Sequence, residues 1–417
     1  MVRFMHSADW QVGMTRRWLQ GDAQARFTAA RIDAVRRMGR LAAEQGCEFL
    51  LVAGDVFESN QLHRQTVLRA LEVLREVPVP VYLLPGNHDP LDAVTVYRQR
   101  TFLDACPAHV HVLDRAGPYA VRPGLELVAA PWHGKHPDRD LVADALETVG
   151  PADGTLRVVV GHGIVDVLDP SRDRSAAIAT GPLERALAEG RIHYVALGDR
   201  HSRTQVGESG AIWYSGACEV TDPREDTPGD VLVVEVEHGR APEVSAHHVG
   251  TWAFRVLRRD LSGRSDVRSL DAELRALPDK DRTVVTLALR GTLTVEEFAD
   301  LTDVTEHHAA LLAGLRDWDR HTDLVVLAGE DDLDDHGLGG FVAAAARDIR
   351  TLATAGAAPR EGSAQVEAQQ EWQAERPPGS SSQAWEHWRY DPMRDDDAES
   401  ARDALALLYR LTREDVR

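Results

Sequence analysis

Five short apolar segments constrain this 417-residue chain more than any other feature, because each runs straight into a turn carrying Asp, Asn, Gln or His. Val2 to Ser7 leads into Ala8-Asp9-Trp10-Gln11, and Phe49 to Ala53 into Gly54-Asp55-Val56-Phe57-Glu58. Val79 to Leu84 leads into Gly86-Asn87-His88-Asp89, Val158 to Val160 into Gly161-His162-Gly163, and Tyr194 to Leu197 into Gly198-Asp199-Arg200-His201. The continuous apolar runs at Phe49 to Ala53, Val158 to Val160 and Tyr194 to Leu197 read as strands buried on both faces, as in a sheet covered by helices, and Val2 to Ser7 and Val79 to Leu84 also read as strands. Between the first two lies a helical stripe, Phe27, Ala30, Ala34, Met38 and Leu41, at spacings of three and four. A second helix is expected from about Leu62 to Glu76, with shorter strands at Leu125 to Ala129, Ala211 to Tyr214 and Val231 to Val236. This alternation predicts a layered α/β domain over residues 1–250.

Residues 251–354 read as a smaller βαβαβ module. Its strands are expected at Trp252 to Arg258, Thr283 to Leu289 and Leu324 to Leu327. Helices are expected at Ser269 to Ala276 and Val295 to Leu315, with a closing helix near Phe341 to Leu352. Residues 355–398 change character. Gly, Ser, Pro, Gln and Glu dominate, and between Glu361 and Ser400 ten acids face three arginines, a net of −7. That composition predicts a disordered acidic linker. Its Trp385, Trp388 and Tyr390 form either a recognition element or a chance cluster. Residues 399–417 read as an amphipathic helix that docks on its own body or on a partner.

The apolar content is 43%, enough for real cores, and no apolar run reaches the roughly 20 residues of a membrane span. The N-terminus lacks a signal-peptide pattern. The three cysteines, Cys47, Cys106 and Cys218, form no C-x-x-C pair, which excludes a disulfide scaffold and a thiolate zinc site and suits a reducing cytoplasm. No G-x-x-x-x-G-K-[ST] is present, so P-loop nucleotide binding is not indicated. The net charge of −20 opposes nucleic acid, and contact with it would need a basic patch, a metal or a partner.

In an open α/β sheet, ligands gather at the carboxyl ends of the strands. Oxygen and imidazole donors without thiolate suit Mn, Mg, Fe or Zn. A lone Gly-His or Gly-Asp is usually a turn. Five such turns at five strand ends point to one metal centre.

The five blocks resemble the calcineurin-like metallophosphoesterase family, whose pattern reads D-x-H, G-D-x-x-[D/E], G-N-H-[D/E], a strand-end His and G-x-H. Within it, a long first domain followed by a small module resembles the SbcD-type nuclease subunits of DNA repair. The resemblance implies a four-layer α/β/β/α sandwich with a capping-like module and two divalent ions. It assigns one ion to Asp9, Gln11, Asp55 and His201, and the other to Asp55, Asn87, His162 and Asp199. His88 takes the family's non-ligand histidine, which protonates the leaving oxygen or stabilises the phosphorane; Asp89 either orients His88 or raises its pKa, or else caps its own loop. Two positions depart from the pattern: Gln11 and Asp199 both stand where histidine is usual. Harder donors tilt the preference toward Mn, with Mg as the alternative. Glu58 is expected behind the donors or at a helix start. Trp132, His133, Lys135 and His136 either line the site or form a surface loop. Arg16, Arg17, Arg64, Arg98, Arg100 and Arg200 are candidate phosphate contacts.

The implied function is hydrolysis of DNA phosphodiesters beside an SbcC-like ATPase, with a homodimer plausible by resemblance only; the cytoplasmic location is expected from the N-terminus and the cysteines. Two alternatives stay open: a phosphoesterase for a nucleotide or other small phosphoester, motivated by the acidic charge, and a catalytically weakened DNA-binding scaffold, motivated by Gln11 and Asp199.

Overall fold

A computed structural model describes residues 1–169 and 176–327. The expected helix at 341–352, the acidic linker with Trp385, Trp388 and Tyr390, and the terminal helix lie outside the described residues. The chain divides into two compact units, Met1–Phe254 and Arg255–Arg417. Among the described residues no helix is long and apolar enough to cross a membrane.

The first unit runs β1 (Val2–Ser7), α1 (Ala23–Glu44), β2 (Leu50–Val52), α2 (Arg64–Glu76), β3 (Val81–Leu83), α3 (Arg100–Ala105) and β4 (Val110–Val112). It continues β5 (Gly117–Arg122), β6 (Leu125–Ala129), α4 (Leu141–Glu147), β7 (Leu156–His162), α5 (Thr180–Ala188) and β8 (Tyr194–Gly198). It closes with β9 (Thr204–Val206), β10 (Ile212–Tyr214), β11 (Asp230–Val236) and β12 (Glu243–His248). These strands make two six-stranded sheets, ordered β12-β11-β1-β2-β3-β4 and β5-β6-β7-β8-β10-β9. β1 to β4 are mutually parallel, as are β6, β7, β8 and β10. The antiparallel strands β11, β12, β5 and β9 sit at the margins.

Three cores explain the layering. Phe4, Phe49 and Leu51 from the first sheet pack with Leu127, Val158 and Tyr194 from the second, so the sheets lie face to face. Phe4 stacks on Phe49 with centroids 5.0 Å apart. The outer face of the first sheet is covered by α1 and α2 through Ala34, Met38, Leu71 and Leu74. The outer face of the second is covered by α4 and α5 through Val142, Leu146, Leu183 and Ala186. The α/β/β/α order follows from strands apolar on both faces and helices apolar on one.

This packing aligns the carboxyl ends of β1, β2, β3, β7 and β8 along one rim. The sheets approach closely there. A Cβ on Gly198 would fall 1.9 Å from Ala53 O and 2.8 Å from His162 Nδ1. Just beneath, buried His6 ties β1 to β8. Its Nε2 donates to Leu197 O (3.2 Å), which can only accept, so its Nδ1 accepts from the Tyr194 hydroxyl (3.1 Å).

The second unit, described as far as Leu327, contains the remainder of β13 (Ala253–Leu261), then α6 (Arg264–Ala276), β14 (Thr283–Thr294), α7 (Val295–Ala309), β15 (Gly314–Asp317) and β16 (Asp323–Leu327). Leu270, Leu274, Leu287, Leu289 and Leu301 form its core. The start of α7 is fixed by a capping box: Thr294 Oγ1 accepts from Glu297 N, and Glu297 Oε2 accepts from Thr294 N (2.9 Å). The helix expected to reach Leu315 stops at Ala309. Ala313 N is captured by Lys280 O and Thr283 O, and Gly314–Asp317 pairs in parallel with Val284–Leu287. Strand pairing there overrides the helical preference of Ala-Ala-Leu-Leu-Ala. The module is therefore not a plain βαβαβ, because β15 and β16 both pair with β14.

Two predictions arise here. Burial lowers His6 to about 3. Burial, with His238 and Arg157, lowers His193 to about 4. The folded chain holds both rings neutral while the unfolded chain takes up protons below about 6.5. These two rings should therefore withdraw stability as pH drops from about 6.5 toward 4, so the difference in stability between the parent and His6→Gln should shift against the parent over that range; thermal melts in chelator check this, and equal slopes would contradict it. Gly198→Ala should cost about 1–3 kcal/mol in denaturant unfolding through its clash with Ala53 O. Gly134→Ala, where an added Cβ meets nothing within 4 Å, should stay within about 0.5 kcal/mol of the parent.

Candidate metal centre

The donors ride on strained turns. Beyond β1, Asp9 and Gln11 have φ of 52° and 44°; beyond β2, Asp55 has 53°; beyond β8, Asp199 has 93°. Such left-handed values cost about 1–3 kcal/mol each for residues with a Cβ. Four of the five non-glycine residues with positive φ among the described residues belong to this cluster. Main-chain bonds hold the strain: Asp9 N donates to Gly54 O (3.1 Å) and Gln11 N to Asp55 O (2.8 Å), so the turns after β1 and β2 run side by side. Gly54, at φ 94°, must lack a side chain because a Cβ would meet His162 Nδ1 at 2.0 Å.

The side chains converge. Asp9, Asp55 and His162 each bring a ligand atom within 4.8 Å of the others. His162 Nε2 lies 2.7 Å from Asn87 Oδ1, 3.5 Å from Asp55 Oδ1 and 3.9 Å from Asp199 Oδ1. His201 Nε2 lies 3.8 Å from Asp9 Oδ1 and 3.4 Å from Gln11 Nε2. The main-chain N of Asp199 donates to both Asp9 carboxylate oxygens at 3.1 Å. All seven expected donors thus form one linked cluster, with His88 Nε2 3.9 Å from Asp55 Oδ2 at its edge. Asp9, Gln11, Asp55 and His162 are buried, whereas the Asp199 and His201 side chains keep 36% and 24% exposure, which opens the cluster on their side.

Hydrogen bonds set the imidazole tautomers. His162 Nδ1 donates to Ala53 O (2.9 Å), which aims Nε2 at the carboxylates. His201 Nδ1 faces Thr221 Oγ1 (2.6 Å) and Glu225 Oε1 (3.0 Å), which aims its Nε2 at Asp9 and Gln11. His88 Nδ1 donates to Glu58 O (2.9 Å), and its main-chain N donates to Asp55 Oδ1 (2.9 Å).

The charges are mutually dependent. Burial pushes Asp9 up to about 6, against the pull of His201 and His162. Burial acts on Asp55 in the same sense, but His162 and His88 outweigh it and hold its carboxyl well below the usual range. Burial would lower the imidazoles, yet the surrounding acids win. Asp55 takes His162 far above its ordinary value, and Glu225 with Asp9 takes His201 to about 9. His88 is raised in the same way, by Asp55 and Glu58 against burial.

Divalent cations fit this cluster. It offers carboxylate, amide and imidazole donors without thiolate, a mixed oxygen and nitrogen set that divalent metal ions accept. Gln11 Oε1 is buried with no hydrogen-bond partner, an orphan acceptor that a cation would satisfy. The histidine partners follow the usual arrangement, in which the ring nitrogen away from the metal donates to a carbonyl or carboxylate.

Other expectations divide. Asp89 does not orient His88. Its oxygens accept from Phe57 N (3.0 Å), Gly86 N (2.8 Å) and the Tyr97 hydroxyl (2.6 Å), so it clamps the β2 and β3 turns together, and the Glu58 carbonyl orients the histidine. Glu58 is no helix-start acid, since α2 begins at Arg64; its carboxylate lies 3.8 Å from His88 Nδ1. Trp132 packs edge-on against His162 and donates Nε1–H to His162 O (2.7 Å), whereas His133, Lys135 and His136 are exposed. Arg17, Arg64, Arg98 and Arg100 are exposed. Arg16 and Arg200 are half-buried and bond to Thr221 O and Thr204 Oγ1. Thr221 and Glu225 were not foreseen. In Thr-Asp-Pro-Arg-Glu-Asp they carry no strand or motif signal, and only the fold brings them behind His201.

Residues 2–203 match the calcineurin-like phosphoesterase family. The SbcD component of the nuclease SbcCD of Rhodobacter capsulatus is 27% identical over 373 residues, covering 75% of this chain and 87% of that protein. Among solved structures, TT1561 of Thermus thermophilus is 11% identical with a TM-score of 0.37, covering 60% of this chain and 99% of its own. A dimetal phosphatase from Danio rerio is 10% identical with a TM-score of 0.35, covering 60% of this chain and 96% of its own. Residues 2–203 are a calcineurin-like phosphoesterase domain, and the chain is similar to an SbcD nuclease subunit over 75% of its length.

Proposed function

We propose that this metal-dependent phosphoesterase is a DNA phosphodiesterase that holds two divalent ions, Mn by preference and Mg as the alternative, and works with an SbcC-like ATPase. The observation that carries the chemistry is His88 at the edge of the seven-donor cluster. The similarity to a nuclease subunit from R. capsulatus supports a nucleic acid as the substrate class. A net charge of −20 favours a partner that supplies much of the DNA affinity.

Bound cations would supply charge neutralisation for the phosphate oxygens and acidify a water. Asp9, Gln11, Asp55 and His201 would hold one, and Asp55, Asn87, His162 and Asp199 the other. The chain's own residues do the rest. The Glu58 carbonyl keeps the His88 Nδ1 proton in place, so the second proton of the imidazolium sits on Nε2. That proton passes to the leaving oxygen of the ester. Trp132 shields the His162 side from water, and the open side at Asp199 and His201 admits the substrate.

The test is hydrolysis of linear duplex DNA by the full chain with Mn, alone and with its ATPase. Cleavage is expected. Faster hydrolysis of a free nucleotide ester than of DNA would move the substrate to the small-phosphoester class, and a protein that hydrolyses neither sinks the proposal. His88→Ala should lower turnover about 10²–10⁴-fold with Mn binding retained; full turnover in that variant would remove His88 from the chemistry. Glu225→Ala should weaken cation binding about 10–100-fold by releasing His201, as read by calorimetry. An unchanged isotherm would show that Glu225 has no such role.

A further inference from the structure

The two halves of the centre are held by different devices. On the His162 side, paired strands and a main-chain carbonyl fix the ring: β7 pairs with β8, and Ala53 O takes the Nδ1 proton. On the His201 side, arginine side chains bridge the two segments that bring in the donors. Arg31 projects from α1 and is fully buried. Its Nη1 donates to Trp10 O (3.2 Å), in the residue between Asp9 and Gln11. Its Nη2 donates to Val220 O (3.0 Å), next to the Thr221 whose hydroxyl meets His201 Nδ1, and also approaches Met14 Sδ (3.1 Å). Phe27 lies beneath the guanidinium, 5.0 Å from ring centroid to Cζ. Arg16 adds a second tie, with Nη2 donating to Thr221 O (2.8 Å).

Burying a guanidinium whose bonds run to carbonyls and a thioether is costly. A packing role alone would be met more cheaply by Met or Leu. What the fork geometry of arginine adds is simultaneous bonding to two backbone segments that pair with each other only at the single Ala8–Ala217 bridge. One carries Asp9 and Gln11, and the other carries the residues behind His201.

We propose that Arg31 and Arg16 are positioning residues that form a strut behind the Gln11/His201 half of the centre. The strut sets the separation of Asp9, Gln11 and His201 and leaves the Asn87/His162 half to the strands. It rests on the reading of the cluster as a two-cation site. Its signature is asymmetric: a weakened strut loses one cation, not both.

Mn binding to the full chain tests this, by calorimetry for stoichiometry and by electron paramagnetic resonance for the coupled ion pair. The parent should bind two Mn and show the coupled signal. Arg16→Gln, at a half-buried position, should melt in chelator like the parent. It should keep one Mn at unchanged affinity and bind the second about tenfold or more weakly, losing the coupled signal at concentrations where the parent shows it. Arg31→Lys keeps the charge but not the fork, so it should behave as Arg16→Gln does. If Arg31→Lys fails to fold, Arg16→Gln decides alone. Two Mn bound as tightly in the variants as in the parent, or both sites weakened alike, would overturn the strut while leaving the cluster's reading intact. A parent that binds no Mn would overturn the reading itself, and the strut with it.

Discussion

Two buried carboxylates, Asp9 and Asp55, impose the central constraint on this molecule. Each would be neutral or expelled from so dry a position without strong compensation. The compensation comes from residues spread over almost 200 positions of sequence: His88, His162 and His201 around them, and main-chain N–H groups of His88 and Asp199 pointed at their oxygens. None of these partners is local to the acid it serves. The sandwich has to be assembled, with both sheets in register, before either acid is tolerable. That makes the centre a condition of the fold as much as its product.

The same constraint accounts for the backbone strain. Asp9, Gln11, Asp55 and Asp199 all adopt left-handed conformations that a glycine would adopt freely. A glycine there would contribute no donor. The chain accepts the strain where a side chain is required, and places real glycines at 54 and 198, where any side chain would strike His162 or Ala53. Acid and glycine alternate along these turns because each position faces one of two incompatible demands, to supply a ligand or to leave room for one.

Much of this could be read from the chain alone. The five apolar runs gave both strand position and strand ends, since continuous burial and an abrupt polar turn leave little else to form. β1 begins and ends where its hydrophobic pattern does, at Val2 and Ser7. The donors came with the strands because ligands collect at carboxyl ends in this architecture. What escaped was set by tertiary contact. Nothing near Asp89 distinguishes a clamp on Phe57 and Tyr97 from a partner for His88; the two differ only in which way one carboxylate points. Thr221 and Glu225 sit in an ordinary polar turn and gain meaning from a histidine twenty residues away. The premature end of α7 likewise depends on a strand edge some thirty residues earlier. Arg31 would pass for a surface residue on an amphipathic helix, yet it is wholly enclosed.

The anchoring of His162 has a mechanical corollary. The ring belongs to the second sheet, but the proton that fixes its orientation is held by Ala53, which follows β2 in the first. Its rotation is therefore slaved to the alignment of the two layers. Any shear between them, from ligand, temperature or a distant core change, stretches that one bond and turns the imidazole away from the carboxylates. The centre thus doubles as a gauge of sandwich alignment.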